Sequence, residues 1–375
     1  MAARITRTLS AYQKNDMKLS AILNAILMAF LVLSSANSQD LPITGKEVAY
    51  FAPIEKVVIG FMDTIDATSA SLSVAHNGKV VYSRAFGWSD ENKKEPTTTD
   101  STFRIASNTK PITAALVHEL FRQRTLSPST GVFEYLAISP YNNKPAEAGL
   151  SSITIEHLLA HRGGWDKTKN FDPMYRLETI KKEIKTDSLT KKDIAEYMFA
   201  QPLDFQPDTK RAYSNFGYLL LGLIIEKATK MTYEKAVETA ICSRLKIEDI
   251  QLSRTDSSKR ADAEVFYPNE SGLEIPLRDS VGGLSASSSS LCVFLDRYWM
   301  NGERRERKEN RFYYHFGSHP NSTTSLMEQR DDGIDYVVLF NSRRNEHYND
   351  DNKTLRTGMN NVISEITATA QRNGR

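Results

Sequence analysis

The sequence predicts an α/β fold, and three observations carry that expectation. A β-hairpin signal stands near residue 77, helical patterns fill most of residues 105–245, and strand-like runs return between 311 and 340. Strands at both ends around a helical middle imply one sheet assembled from N- and C-terminal segments, with helices inserted between them.

Residues 53–66 place Ile54, Val57, Val58, Phe61, Met62 and Ile65 at a 3.6-residue period, which predicts a helix. The hairpin follows. Leu72-Ser73-Val74-Ala75 and Val80-Val81-Tyr82-Ser83 flank His76-Asn77-Gly78-Lys79, and Asn-Gly between apolar runs is a strong short-range hairpin signal. Helices are then expected over 105–121, 154–160, 190–199, 215–228 and 233–245, and strands over 311–316, 323–329 and 334–340. The last two strands are separated by Arg330-Asp331-Asp332-Gly333. A final helix is expected over 354–370, with Met359, Val362, Ile363 and Ile366 on one side. No internal repeat or low-complexity linker interrupts this order.

The chain has 375 residues, 40% hydrophobic and 25% charged, which is ordinary globular composition. That length suits two lobes or one large domain. The net charge of +2 gives no strong field that would gather nucleic acid, so no nucleic-acid partner is expected. The basic run Arg304-Arg305-Glu306-Arg307-Lys308 reads as a solvated loop.

Residues 1–38 read as a targeting segment. Residues 21–33 are an apolar run preceded by Lys14 and Lys18, and Ala36-Asn37-Ser38 resembles a signal-peptidase site. The run is shorter than the ~20 apolar residues that span a bilayer, so no stable membrane span is expected. Secretion is the favoured reading, with Met17 a second possible start. The alternative is mitochondrial import, because residues 1–15 hold Arg4, Arg7 and Lys14 and no acidic residue. Asn269, Asn321 and Asn352 sit in Asn-x-Ser/Thr sequons, a number that chance alone would supply. Cys242 and Cys292 either pair or stand as two buried thiols, and no disulfide framework is implied.

Three stretches carry candidate chemistry. In Phe103-Arg104-Ile105-Ala106-Ser107-Asn108-Thr109-Lys110-Pro111, the proline belongs in a first helical turn, so a helix should begin near Ser107. Ser107 and Lys110 then lie one turn apart on one face. The helix dipole there favours negative charge on the serine oxygen and disfavours the lysine ammonium. A free serine hydroxyl needs such help to act as a nucleophile. The same S-x-x-K spacing at Ser188-Leu189-Thr190-Lys191 is explained by a capping box between Thr190 and Asp193.

The second stretch is Tyr213-Ser214-Asn215, at a loop-to-helix junction. A tyrosine beside a lysine can relay its proton, and an asparagine can bind a substrate carbonyl or amide. The structural alternative is that Tyr213 packs under the loop and Asn215 caps the helix. The third is Tyr314-His315-Phe316-Gly317-Ser318, where a strand edge with glycine lets a substrate approach and offers N–H groups to an oxyanion. By itself, His315 reads more readily as an ordinary strand residue than as a catalyst.

Together, and in this order, these stretches resemble the serine β-lactamase-related family of class C β-lactamases, D-amino-acid peptidases, carboxylesterases and the animal β-lactamase-like protein. His157-Leu158-Leu159-Ala160-His161, Tyr213 to Gly222 and Val281-Gly282-Gly283-Leu284-Ser285 also look like family landmarks, and the resemblance covers residues 50–345. It implies an α-β-α sandwich with an antiparallel sheet in residues 39–375. A helical lobe at about 111–260 would be inserted, with the site in the cleft between. Ser107 would be the acylated nucleophile, Lys110 its base and Tyr213 a proton-transfer partner. Asn215, His315, Gly317 and Ser318 would bind substrate, and the N–H groups of Ser107 and Ser318 would form the oxyanion hole. Neither a metal nor an organic cofactor is implied.

Two features depart from the family pattern. Phe316 stands where the family has Thr or Ser, and the stretch between Leu284 and His315 is short, as if a strand were missing. The expected activity is hydrolysis of an ester or amide in a small molecule or peptide. The alternative is a catalytically silent binding or scaffold protein on the same fold.

Overall fold

Asn77 and Gly78 both take positive φ, 50° and 78°, which is the backbone of a type I′ turn and matches the twist of the strands it joins. The structure is a computed structural model that describes residues 41–373 apart from 145–146, 256–261, 271 and 307–310. The targeting segment read from residues 1–38 lies outside the described residues.

In chain order come β1 (Ile43–Thr44), α1 (Ala52–Thr64), β2 (Ser69–His76), β3 (Lys79–Gly87), β4 (Phe103–Arg104) and α2 (Thr109–Arg122). The middle of the chain contributes α3 (Ile155–Leu159), α4 (Lys191–Phe199) and α5 (Asn215–Thr229), with shorter helical turns between them. Then follow β5 (Gln251–Leu252), β6 (Leu284–Ala286), α6 (Ser288–Arg297), β7 (Tyr313–His319), β8 (Thr323–Gln329), β9 (Ile334–Phe340) and α7 (Tyr348–Asn373). Thr190 caps α4 in a capping box with Asp193, as its sequence implied.

Six strands form one antiparallel sheet in the order β1-β3-β2-β9-β8-β7, and β4-β6-β5 form a small second sheet. N-terminal strand β2 pairs with C-terminal strand β9, Leu72 opposite Val338, so both ends of the chain build one sheet. Alternation along β2 sends its side chains to two faces. The hydroxyls of Ser71 and Ser73 meet Ser288 of α6 at 2.7 and 2.8 Å on one face. On the other, Phe61 of α1 packs on Phe340 with ring centroids 5.0 Å apart, and α7 packs against α1. The result is an α-β-α sandwich with an antiparallel sheet.

The inserted helices bury a large core around α5, whose Phe216, Leu219, Leu220, Leu221, Ile224 and Ile225 are all buried, and it is continuous with Phe294 of α6 and Leu339 of β9. A helix apolar on nearly every side belongs inside. Cys242 and Cys292 are separate, buried free thiols, which resolves their pairing.

Three expectations need correction. The strand expected at 311–316 runs instead from Tyr313 to His319, so Gly317 and Ser318 lie within it. The last helix begins at Tyr348, ahead of the expected 354. The basic run after Glu303 is not simply a solvated loop, because Arg304 clasps buried Glu119 of α2 and Arg305 pairs with buried Asp335. The segment between β6 and β7 holds α6, which periodicity did not reveal, and no strand among the described residues. No helix among them is long and apolar enough to cross a membrane.

Candidate active site

Ser107 sits in a tight 3₁₀ turn, Ala106–Asn108, that feeds directly into α2. The helix thus starts where Pro111 implied, and Lys110 is helical although it precedes proline. Ala106, just before Ser107, is held at φ 47°, a left-handed backbone that costs a non-glycine residue about 1–2 kcal/mol. Packing on two sides holds the turn there. Asn108 N–H and Ser325 Oγ–H both donate to the Ile105 carbonyl, at 3.0 and 2.9 Å. From β7, Gly317 presses so close that an added Cβ would stand 2.0 Å from that same oxygen. A glycine at this position lets the sheet edge touch the serine turn.

Lys110 projects from the first turn of α2, and its Nζ stands 3.3 Å from Ser107 Oγ. Nζ also donates to the Val281 carbonyl at 2.7 Å, and it lies 5.0 and 5.6 Å from the ring centroids of Tyr213 and Tyr218. Burial pushes its pKa down to about 7, with the charges of Lys167 and Arg278 adding to the effect and Asp172 opposing it. A large share of neutral amine at physiological pH follows.

Tyr213 donates its phenolic hydrogen to Ser107 Oγ at 2.9 Å. Burial raises its pKa far above the ordinary tyrosine value, so it is a phenol and not a phenolate. His161 fixes the loop that carries it. Its carbonyl accepts from Ala212 N–H at 2.9 Å, its Nδ1 accepts from Ser214 N–H at 3.2 Å, and its ring lies 4.6 Å from that of Tyr213. Burial lowers the His161 pKa to about 3, which keeps Nδ1 an acceptor.

Ser214, and not Asn215, caps α5, its side chain accepting from Gly217 N–H. Asn215 is therefore free for another partner, and its Nδ2 donates to Asp172 Oδ2. His315 Nδ1 lies 2.9 Å from Asn108 Oδ1. Since Asn108 Nδ2 donates to Ser325 Oγ, its Oδ1 must accept, and the His315 proton sits on Nδ1. Burial holds the His315 pKa down at about 3, leaving Nε2 a neutral acceptor.

Two cavities meet at this point. One of about 510 Å³ is lined by Ser107, Asn215 and Ser318 together with Lys167, Tyr175 and Arg343. The other, about 590 Å³, is lined by Lys110, His161, Arg211, Met300 and Tyr314. Tyr213, His315 and Phe316 border both. The cleft thus runs along β7 on either side of Ser107. Ser107, Lys110, Tyr213, Asn215, His315, Gly317 and Ser318 are all brought together there. Reading the sequence did not single out Asn108, Lys167, Asp172 or Arg343. Asn108, Lys167 and Asp172 make their contacts with distant segments, to Ser325, Tyr213 and Asn215, and no local pattern marks them. Among the described residues no group of His, Cys, Asp and Glu could hold a metal ion.

Ser107 thus lies within hydrogen-bonding distance of a lysine and a tyrosine, in a cleft between a sheet edge and a helical core. The chain belongs to the Beta-lactamase family, whose model matches residues 54–338. It is 29% identical over 258 residues to a probable fimbrial assembly protein (serogroup H1) of Dichelobacter nodosus, covering 64% of this chain. The chain spans 60% of that relative's length.

Among solved structures, it is similar to a beta-lactamase/D-alanine carboxypeptidase from Yersinia pestis, with a TM-score of 0.63 and 16% identity, covering 85% of this chain and 98% of that one. It is also similar to a D-amino acid amidase from Ochrobactrum anthropi, with a TM-score of 0.61 and 18% identity, covering 84% and 99%. These likenesses define the fold, and the family includes serine hydrolases.

Proposed function

We propose that the protein hydrolyses an ester or amide, in a small molecule or peptide, through an acyl-enzyme on Ser107. The observation that carries this reading is that Ser107 Oγ lies 3.3 Å from Lys110 Nζ and 2.9 Å from Tyr213 Oη, with the Lys110 pKa lowered to about 7. A general base titrating near the working pH combines basicity with availability.

Neutral Lys110 accepts the Ser107 hydroxyl proton as Oγ bonds to the carbonyl carbon. The carbonyl electron pair moves onto oxygen, where the N–H groups of Ser107 and Ser318 stabilise it. Collapse of the intermediate expels the leaving group, which takes a proton from the Tyr213 hydroxyl as Lys110 returns one to Tyr213. Water then attacks the Ser107 ester and gives a proton to Lys110, which passes it to Ser107 Oγ as the C–Oγ bond breaks and the acid leaves. Neutral His315 and Asn215 line the cleft as positioning groups.

The test is intact-mass analysis after exposure to a fluorophosphonate, with Ser107→Ala as control. Single labelling that disappears in the variant is expected. Folded wild-type protein that takes no label would overturn the hydrolase reading in favour of a silent binding protein on the same fold.

A further inference from the structure

β7 is the edge strand of the six-stranded sheet, and alternate positions along it carry aromatic rings on one face. The ring of Phe312, just ahead of the strand, lies 6.1 Å from that of Tyr314, and Tyr314 lies 5.9 Å from Phe316 in an edge-on pair. Phe316 borders both cavities at Ser107, and Tyr314 borders the one that holds Lys110. An aromatic strip therefore leads out of the cleft along the sheet edge. Its outer rings are open to solvent, Phe312 being 46% exposed and Tyr314 47%. Single exposed rings are ordinary, but a contiguous apolar strip running into a cleft marks a contact surface.

The strip is braced from behind. The Arg356 guanidinium of α7 sits 3.7 Å from the Tyr314 ring centroid and 5.0 Å from that of Phe312. Arg356 Nε donates at 2.9 Å to Glu328, a fully buried carboxylate that also accepts from the Tyr336 hydroxyl and Asn360 Nδ2. A cation held over a ring fixes it, so these rings are ordered before any ligand arrives and less freedom is lost on binding.

We infer that Phe316 and Tyr314 are specificity-determining residues that select substrates whose scissile ester or amide carries an aryl or alkyl arm. This rests on the hydrolase reading above. The family pattern has Thr or Ser at 316, whose hydroxyl can hydrogen-bond a polar group of the substrate. A phenyl ring offers no such bond and instead covers apolar surface. Phe316 is also next to Gly317, the position at which β7 touches the serine turn. Its backbone is therefore one residue, about 3.8 Å, from that contact, within reach of a short arm on the reacting carbonyl.

The experiment compares two alkylboronic acids as competitors of fluorophosphonate labelling at Ser107. Both add Ser107 Oγ to boron while the hydroxyl proton passes to Lys110, and no bond to boron breaks. 2-Phenylethylboronic acid carries the arm and methylboronic acid lacks it. The arm should tighten inhibition of the wild type by about tenfold or more, the factor expected for a phenyl group laid on an aromatic wall. In Phe316→Thr that ratio should fall towards one. Any general change in Ser107 reactivity acts on both acids and cancels. Tyr314→Thr, further from the serine turn, carries the same expectation should Phe316→Thr fail to fold.

A wild-type ratio near one, or a ratio unchanged in folded Phe316→Thr, would overturn the assignment. If Ser107 takes neither label nor boronate, the hydrolase reading has failed and binding judges the strip separately. Ser107→Ala protein is then titrated with 4-phenylbutanamide and butanamide. Tighter binding of 4-phenylbutanamide that is lost when Phe316→Thr is added would support the strip. Equal binding, no binding, or a preference that survives Phe316→Thr would overturn it.

Discussion

Lys110 Nζ lies 3.3 Å from Ser107 Oγ with no carboxylate within ion-pair distance among the described residues. The two side chains share one face of the turn that opens α2, as three-residue spacing requires. What spacing does not supply is the environment. Nζ is closed in by the rings of Tyr213 and Tyr218 and by the Val281 carbonyl. Taking an ammonium out of water without a counter-charge in contact favours the amine, and burial outweighs the more distant Asp172. The lowered pKa is therefore set by the helical core, which excludes water from a lysine that helix geometry places next to serine.

The first prediction is a rising limb in the pH profile. Since Lys110 must be neutral to accept the serine proton and its pKa is lowered to about 7, kcat/KM should fall as pH drops below about 7. His161 and His315, held near 3 by burial, should not contribute to that limb. Lys110→Arg should lose about 10²–10⁴ in kcat/KM, because a guanidinium does not deprotonate in this range. A limb centred near pH 4, or an active arginine variant, would assign the base elsewhere.

A second prediction concerns stability. The folded-state pKa of Lys110 is depressed below its ordinary 10.5. Its burial therefore costs nothing above that value and costs most once pH falls below about 7. Lys110→Met removes the charge and keeps most of the volume. The variant should be inactive yet melt higher than wild type at pH 6, with the gap closing towards pH 10. Melting curves at the two pH values check it, and a variant less stable than wild type at pH 6 would contradict it.

Gly317 supplies a third. A Cβ there would stand 2.0 Å from the Ile105 carbonyl oxygen and 2.3 Å from Ser325 Oγ, and both atoms belong to the bracing of the serine turn. Gly317→Ala must push β7 away from that turn, at a cost of about 1–3 kcal/mol. The same displacement shifts Ser318 N–H from its proposed oxyanion position. Fluorophosphonate labelling should slow at least tenfold even where the protein remains folded by circular dichroism. Unchanged labelling would mean that β7 does not border the reacting carbonyl.

The sheet and most helices were legible because periodicity, capping and turn chemistry act locally. The Asn77-Gly78 turn, the box at Thr190 and Asp193, and the apolar run of α5 each sit within a few residues of their cause. Helix α6 hid behind Ser287-Ser288-Ser289-Ser290. Ser287 is its cap and Ser288 is buried against Ser71 and Ser73, so serine there is neither loop nor surface. Arg304 and Arg305 read as solvated because their acceptors, Glu119 and Asp335, come from distant segments. In the site, motif residues could be named from the sequence, but Asp172 could not. Its partner Asn215 lies 43 residues further along the chain.

The last prediction tests the loop that carries Tyr213. His161 holds it through the carbonyl that accepts from Ala212 N–H and through Nδ1, which accepts from Ser214 N–H. Its own backbone is left-handed, at φ 58°. An alanine there keeps the carbonyl but loses the ring acceptor, leaves Ser214 N–H without its partner and strains the backbone, for about 1–3 kcal/mol in all. An asparagine tolerates positive φ and offers a side-chain oxygen. His161→Ala should therefore cut kcat about tenfold or more with KM little changed, because the displaced group is the proposed proton relay and not a binding surface. His161→Asn should recover much of that loss. Equal damage from both variants would mean that ring packing against Tyr213, and not the hydrogen bond to Ser214, positions the phenol.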